Sequence, residues 1–176
     1  MKYDLILPVY NPRDSWCKEI CSAIKRLNQL REDDIHLIIV NDGSDKIVRK
    51  VEFEELEDLV DKFTFVSYDK NKGKGHAIRE ACDYIRTPKV LFTDVDIPYS
   101  ISSMLAVLDA LESKENVFIS GKRNKAYFEK LPYIRKIISR SFTKGIQLIL
   151  GLKNPETQVG LKAFQGEGIG ILKSTT

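Results

Sequence analysis

Five short runs along the chain are almost wholly apolar and rich in β-branched or aromatic residues: DLILPVY (Asp4 to Tyr10), IHLIIVND (Ile35 to Asp42), FTFVSYD (Phe63 to Asp69), KVLFTDVD (Lys89 to Asp96) and VFISG (Val117 to Gly121). Near-continuous hydrophobicity of this length predicts strands buried on both faces. Between them, apolar positions recur at helical spacing over Ser15 to Leu30, Val51 to Lys62, Gly75 to Ile85 and Ile101 to Glu112. Strands alternating with helices predict right-handed crossovers and a largely parallel sheet covered on both sides, a Rossmann-like α/β layout.

In such sheets ligands gather outside the carboxyl ends of the strands. The predicted strand ends carry Pro8-Val9-Tyr10-Asn11, Asn41-Asp42-Gly43-Ser44, the loop Asp69 to Gly75, Asp94-Val95-Asp96 and Ser120 to Arg123. Taken singly, NDGS reads equally as a turn with Gly43 at positive φ and a helix cap behind it, and NKGKG as a connection into a helix. The spacing in NKGKG is not that of a P-loop. His76 reads as a helix-start residue.

Asp94 and Asp96 are a sharper feature. On an extended backbone residues two apart point to the same side, so both carboxylates are expected to face one hard divalent cation, Mg²⁺ or Mn²⁺. Two protein carboxylates leave coordination positions open for phosphate oxygens. The structural alternative has Asp96 capping the helix that begins near Ser100.

At 176 residues, 43% apolar and 30% charged, the chain fits one globular domain with a substantial core, and excludes disordered and fibrous classes. We expect a single domain over 1–176, with a donor-binding half at 1–121 and an acceptor-side half at 122–176. The net charge is only +3, but Lys122, Arg123, Lys125, Lys130, Arg135, Lys136, Arg140 and Lys144 crowd one segment, which is expected to attract anions. Within it, Leu131 to Leu152 has helical periodicity, with Arg135 and Ser139 on one face. It reads either as an amphipathic helix on the sheet or as a helix at an anionic membrane surface. The basic residues lack interleaved aromatics, so nucleic acid is not an expected partner. Cys17, Cys21 and Cys82 lack metal-ligand spacing and read as buried reduced thiols. No window has the length of a membrane span and the N-terminus is unlike a secretory signal. We therefore expect a chain facing the cytoplasm.

The ordered series PVYNP, NDGS, NKGKGHA, DVD, SGKRN and TQVGLKAF resembles family-two glycosyltransferases of GT-A fold over nearly the whole chain. It is most similar to their polyprenyl-phosphate branch, the dolichyl-phosphate glucosyltransferases and dolichol-phosphate mannose synthases. The resemblance implies that Pro8, Tyr10 and Asn11 lie at the first-strand nucleotide motif and that Asp42 contacts base and ribose. Asn71, Gly73 and Lys74 would form the turn over the nucleoside, and Asp94 and Asp96 would hold the metal on the donor diphosphate. Arg123 would match the arginine of the GSR segment, as a catalytic and acceptor-binding residue, and Arg135 and Ser139 an RxxxS pattern that holds the acceptor phosphate. Gln158 falls in the TQVGLK segment without an assigned role. Pro12 replaces a usual acid and Lys122 a usual small residue. Pro98 cannot supply the third metal ligand available to mannose synthases, which favours UDP-glucose over GDP-mannose as donor. The ending QGEGIGILKSTT is unlike the family, so the chain reads as truncated or divergent.

An acceptor phosphate, ionised near neutral pH, needs no general base and can invert the anomeric carbon in one displacement. The expected enzyme is thus a metal-dependent hexosyltransferase, peripheral to the cytoplasmic face of a membrane. The competing readings are a family-two transferase acting on a saccharide hydroxyl and a nucleotide-sugar-binding module without turnover. A pyrophosphorylase would need a glycine-rich loop after the first strand, which PVYNPRDS lacks.

Overall fold

The computed structural model describes residues 2–45, 53–112, 118–121 and 159–174. In chain order the elements are β1 (Lys2–Val9), α1 (Trp16–Leu30), β2 (Asp34–Asp42), α2 (Glu54–Glu57), β3 (Lys62–Tyr68), α3 (Lys74–Ala81) with a 3-10 turn at Cys82–Tyr84, β4 (Lys89–Phe92), α4 (Ile101–Glu112), β5 (Phe118–Ser120), β6 (Lys162–Gln165) and α5 (Glu167–Ser174). The six strands form one sheet in the order β3-β2-β1-β4-β6-β5. β1 pairs in parallel with β2 and β4, β2 in parallel with β3, and β6 runs antiparallel to β4. This is the largely parallel α/β sheet that the sequence predicts.

The centre of the sheet is dry on both faces. Ile6, Ile38, Val40, Val90 and Phe92 pack against Ala77, Ile78 and Ala81 of α3, with Ile169 and Leu172 of α5 added at the margin. Their alternates Leu5, Leu7, Leu37 and Ile39 are also fully buried, as a strand in the middle of a parallel sheet requires. On that second face Phe53 meets Trp16 of α1 edge-on at 6.0 Å and Phe65 of β3 at 4.8 Å. β3, at the end of the sheet, is only partly buried. β4 leaves β1 after Ile6, so Pro8, which has no N–H to give, lies where β1 has one neighbouring strand.

Asp4, wholly buried, pairs with His36 Nδ1 at 2.5 Å, and His36 Nε2 lies 2.8 Å from Thr64 Oγ1. Asp4 also accepts from the N–H groups of Arg86 and Thr87 and from the Thr87 hydroxyl. Every donor comes from the approach to β4 or from the neighbouring strand, so this cluster fastens the amino-end side of the sheet.

Three expectations on the elements need correction. The helix expected over Val51 to Lys62 is, in its described part, the four-residue α2, and β3 already begins at Lys62. The strand expected to run to Asp96 ends at Phe92. β6 and α5 form in a segment for which neither was expected.

The chain divides into two compact units, residues 1–119 with 160–176, and residues 120–159. Of the second only Ser120, Gly121 and Val159 are described. Arg123, Arg135, Ser139, Gln158 and the helix expected over 131–152 lie outside the described residues. Cys17, Cys21 and Cys82 are reduced and buried, as expected, and burial pushes the thiols of Cys21 and Cys82 up. Among the described residues no helix is long and apolar enough to cross a membrane.

Candidate active site

The carboxyl ends of β1, β2, β3 and β4 share one rim because the strands are parallel and adjacent. Here the loops after β1 and β2 are laced together. Asn11, in the left-handed region at φ 44°, donates from its side chain to Asp45 and accepts from the Asp45 N–H, both at 2.9 Å. Its own N–H donates to Ser44 Oγ at 2.9 Å. Asn41 completes the turn by accepting from the Ser44 hydroxyl at 2.5 Å and donating to Ser67 at 3.0 Å. Asparagine tolerates this backbone better than other non-glycine residues. Pro8 is buried within β1, whereas Tyr10 stands 49% exposed on the rim.

Asp42, 2% exposed, is held by three donors from the next strand and loop. Its Oδ1 accepts from the Tyr68 hydroxyl at 2.7 Å and from the Lys72 N–H at 2.8 Å, and its Oδ2 from Asn71 Nδ2 at 3.1 Å. A carboxylate can be buried when its oxygens are satisfied in this way. Burial, followed by the bond to Asp42, raises the Tyr68 hydroxyl well above its ordinary pKa. Gly43 (φ 62°) makes the close approach possible: a Cβ there would stand 2.4 Å from the Asn71 nitrogen.

The same loop continues to Gly73 at φ 90°, the cap of α3, and then to Lys74. Lys74 Nζ forms an ion pair with Asp94 Oδ1, with the two side chains 44% and 37% exposed. Asp42 and Asp94 are therefore served by residues three apart on one loop, Asn71 and Lys74.

Asp94 and Asp96 lie on a turn rather than on a strand, closed by the Ile97 N–H donating to the Asp94 carbonyl at 2.9 Å. The same-side argument from an extended backbone therefore does not hold here. Ile97 has φ 37°, an outlying conformation for a β-branched residue, and such outliers concentrate at functional sites. Asp96 is exposed and lines a cleft of about 790 Å³ between α1 and the start of α4, with Lys18, Arg26, Tyr99 and Ser102. Among the described residues no group of three or more His, Cys, Asp or Glu side chains could hold a metal. Two hard carboxylates on one turn fit Mg²⁺ or Mn²⁺ only if the substrate supplies the remaining oxygens, as a diphosphate does.

Two participants were missed. Gly160 lies against Asp94: a Cβ would stand 1.9 Å from Asp94 Oδ2, and the Gly160 N–H donates to the Tyr99 hydroxyl at 2.7 Å. Lys162 pairs in register with Phe92 across β6 and β4, which brings its ammonium 5.8 Å from the Phe92 ring. The signal available was the TQVGLK segment itself. What was missing was the antiparallel return that lays it beside β4.

The model of glycosyl transferase family 2 matches residues 4–167. The chain belongs to glycosyl transferase family 2. It is 24% identical to dolichyl-phosphate beta-glucosyltransferase of Saccharomyces cerevisiae over 94% of this chain and 55% of that protein. It is 26% identical to UDP-N-acetylglucosamine–dolichyl-phosphate N-acetylglucosaminyltransferase of Methanococcus voltae over 96% of this chain and 71% of that one. A teichoic acid poly(glycerol phosphate) polymerase of Staphylococcus epidermidis is 33% identical over 54% of this chain. The chain spans 13% of that polymerase and about half of the yeast enzyme. Among solved structures, a mannosyltransferase from Pyrobaculum calidifontis in complex with GDP-Man and Mn²⁺ shares the fold at TM-score 0.61 and 18% identity, over 94% of this chain and 44% of that one. Mannosyl-3-phosphoglycerate synthase from Rubrobacter xylanophilus does so at 0.60, also at 18% identity, over 94% of this chain and 54% of that one. The GT-A layout expected from the motifs is thus the layout of this family member.

Proposed function

We propose that this chain carries the donor site of an inverting glycosyltransferase that moves a hexose from a nucleoside-diphosphate sugar to a polyprenyl phosphate with the help of Mg²⁺ or Mn²⁺. The observation that carries this reading is the Asn71-to-Lys74 loop, which fastens Asp42 at one end and Asp94 at the other. A nucleoside diphosphate has that two-ended chemistry, a hydrogen-bonding base and ribose joined to a charged diphosphate. In this reading Asp42, Asn71, Tyr10 and Asn11 border the nucleoside, with Gly73 and Lys74 turning over it, and Asp94 and Asp96 face the diphosphate. Arg123, Arg135 and Ser139 serve the acceptor phosphate.

The acceptor oxygen forms its bond to the anomeric carbon as the bond to the diphosphate oxygen breaks, and the electron pair leaves with the nucleoside diphosphate. No proton has to be removed, because the acceptor is already ionised. A divalent cation would supply charge stabilisation for the leaving group. Lys74 supplies a fixed ammonium at the same edge. The acceptor class draws its support from the two dolichyl-phosphate relatives. The absence of an oxygen ligand at Pro98 is the sole ground for preferring UDP-glucose to GDP-mannose.

Calorimetric titration of UDP-glucose and GDP-mannose, with and without Mn²⁺, tests the donor half on this chain and on the Asp94→Ala, Asp96→Ala double variant. Cation-dependent binding of one donor, lost in the double variant, is expected. If neither donor binds with Mn²⁺ present, the reading is withdrawn.

A further inference from the structure

Phe92, the last residue of β4, has two ammonium groups near its ring, Lys74 Nζ at 5.9 Å and Lys162 Nζ at 5.8 Å from the centroid. The lysines reach it from different elements, Lys74 from the start of α3 and Lys162 from the first position of β6. Lys74 pairs with Asp94, and Asp94 rests against Gly160, two residues before Lys162 in the chain. Burial, and then the charge of Lys74, hold the Lys162 ammonium below the ordinary lysine pKa. Two ammonium groups that converge on one ring from different elements offer a polyanion two points of contact.

We propose that Lys162 is a second protein cation for the diphosphate of the sugar-nucleotide donor, contacting it together with Lys74 and meeting the charge that builds as the nucleoside diphosphate departs. The proposal rests on the donor reading above and adds a residue to that site. A monophosphate has one anionic group to share between two ammonium groups and a divalent cation, whereas a diphosphate presents several oxygens. The contribution of Lys162 is therefore expected in the preference for diphosphate over monophosphate.

The test compares UDP with UMP, and GDP with GMP, by calorimetry in the presence of Mn²⁺, on wild-type protein, Lys162→Met and Lys162→Arg. Lys162→Met is expected to weaken the nucleoside diphosphate by about tenfold or more, the scale of one charge-assisted hydrogen bond, while the monophosphate changes by less. Lys162→Arg is expected to keep most of the preference. Equal losses for diphosphate and monophosphate in both variants would make Lys162 a structural residue and overturn the proposal, as would unchanged affinities in Lys162→Met. A loss confined to the KM of farnesyl phosphate as acceptor would assign Lys162 to the acceptor and overturn it as well. Wild-type protein that binds neither nucleoside diphosphate is a different failure, since it removes the donor reading on which the proposal stands.

Discussion

Gly160 and Asp94 compete for one space: with any side chain at position 160, its first carbon would stand 1.9 Å from Asp94 Oδ2 and 2.7 Å from Asp94 Cγ. The turn between Asp94 and Ile97 and the return of the chain into β6 are thereby coupled through the absence of a single methyl group.

Gly160→Ala is expected to push the Asp94 carboxylate away from its present position with little effect on the melting temperature, because that side chain is partly exposed and can rotate. Misplacement by about an ångström costs on the order of 100-fold in rate where a charge must meet a reacting group. Transfer rate and Mn²⁺-dependent donor binding should fall together while the unfolding transition stays in place. An Ala variant with wild-type Mn²⁺-dependent binding would show that Asp94 does not need this position.

Lys74 occupies, as an ammonium, a place beside Asp94 that a divalent cation would have to share or take. Lys74→Met is therefore expected to strengthen binding of Mn²⁺ to the free protein while weakening binding of the sugar nucleotide. A partly exposed ion pair contributes about 1 kcal/mol at most, so the gain in Mn²⁺ affinity should be no more than about fivefold. Electron paramagnetic resonance titration of Mn²⁺ without nucleotide measures it. Unaltered Mn²⁺ affinity would mean that the ion does not bind at Asp94.

Gly43 lets the turn after β2 pack on the loop after β3. A Cβ there would meet backbone atoms of Lys70 and Asn71 at 2.4 Å, and the residue already has φ 62°. The left-handed backbone alone costs a residue with a side chain about 1–2 kcal/mol, and displacement of the Lys70–Asn71 backbone adds to it. Gly43→Ala should lower the urea midpoint and loosen Asn71 from Asp42, reducing donor affinity as well. A variant as stable as wild type would contradict this packing.

The parts of the fold that were legible were those where periodicity and burial agree. β1, β2 and α4 follow from their apolar spacing, and Ile101 to Glu112 is helical over the span that the sequence predicts. KAFQ escaped notice because a four-residue strand carries too few positions to show a period. EGIGILKS escaped because its two glycines argue against a helix that packing on Ile169 and Leu172 nevertheless supports. The early end of β4 had no sequence signal, since Val95 and Ile97 look like strand residues while Ile97 adopts a left-handed turn. Within the site, the motif residues Asp42, Asn71, Lys74 and Asp94 were singled out individually. That Asn71 serves Asp42 while Lys74 serves Asp94 depends on how the loop crosses the rim, which spacing alone does not determine.

Tyr68 gives the surroundings of Asp42 a dependence on pH. Its hydroxyl donates to Asp42, and burial together with that bond raises its pKa above the ordinary value of 10.0. A group whose pKa is higher in the folded state stabilises that state fully below its unfolded value, and the contribution fades as pH rises through the folded value. Tyr68→Phe should accordingly cost about 1 kcal/mol at pH 8, one buried hydrogen bond. The difference from wild type should narrow above about pH 10, as unfolded wild-type protein begins to ionise its Tyr68. The other tyrosines are common to both proteins, so their titration cancels in the comparison. Urea unfolding of the pair at pH 8 and pH 11 checks the sign: a gap that widens with pH would mean that Tyr68 is ionised in the folded protein and that Asp42 is held by Asn71 and Lys72 without it.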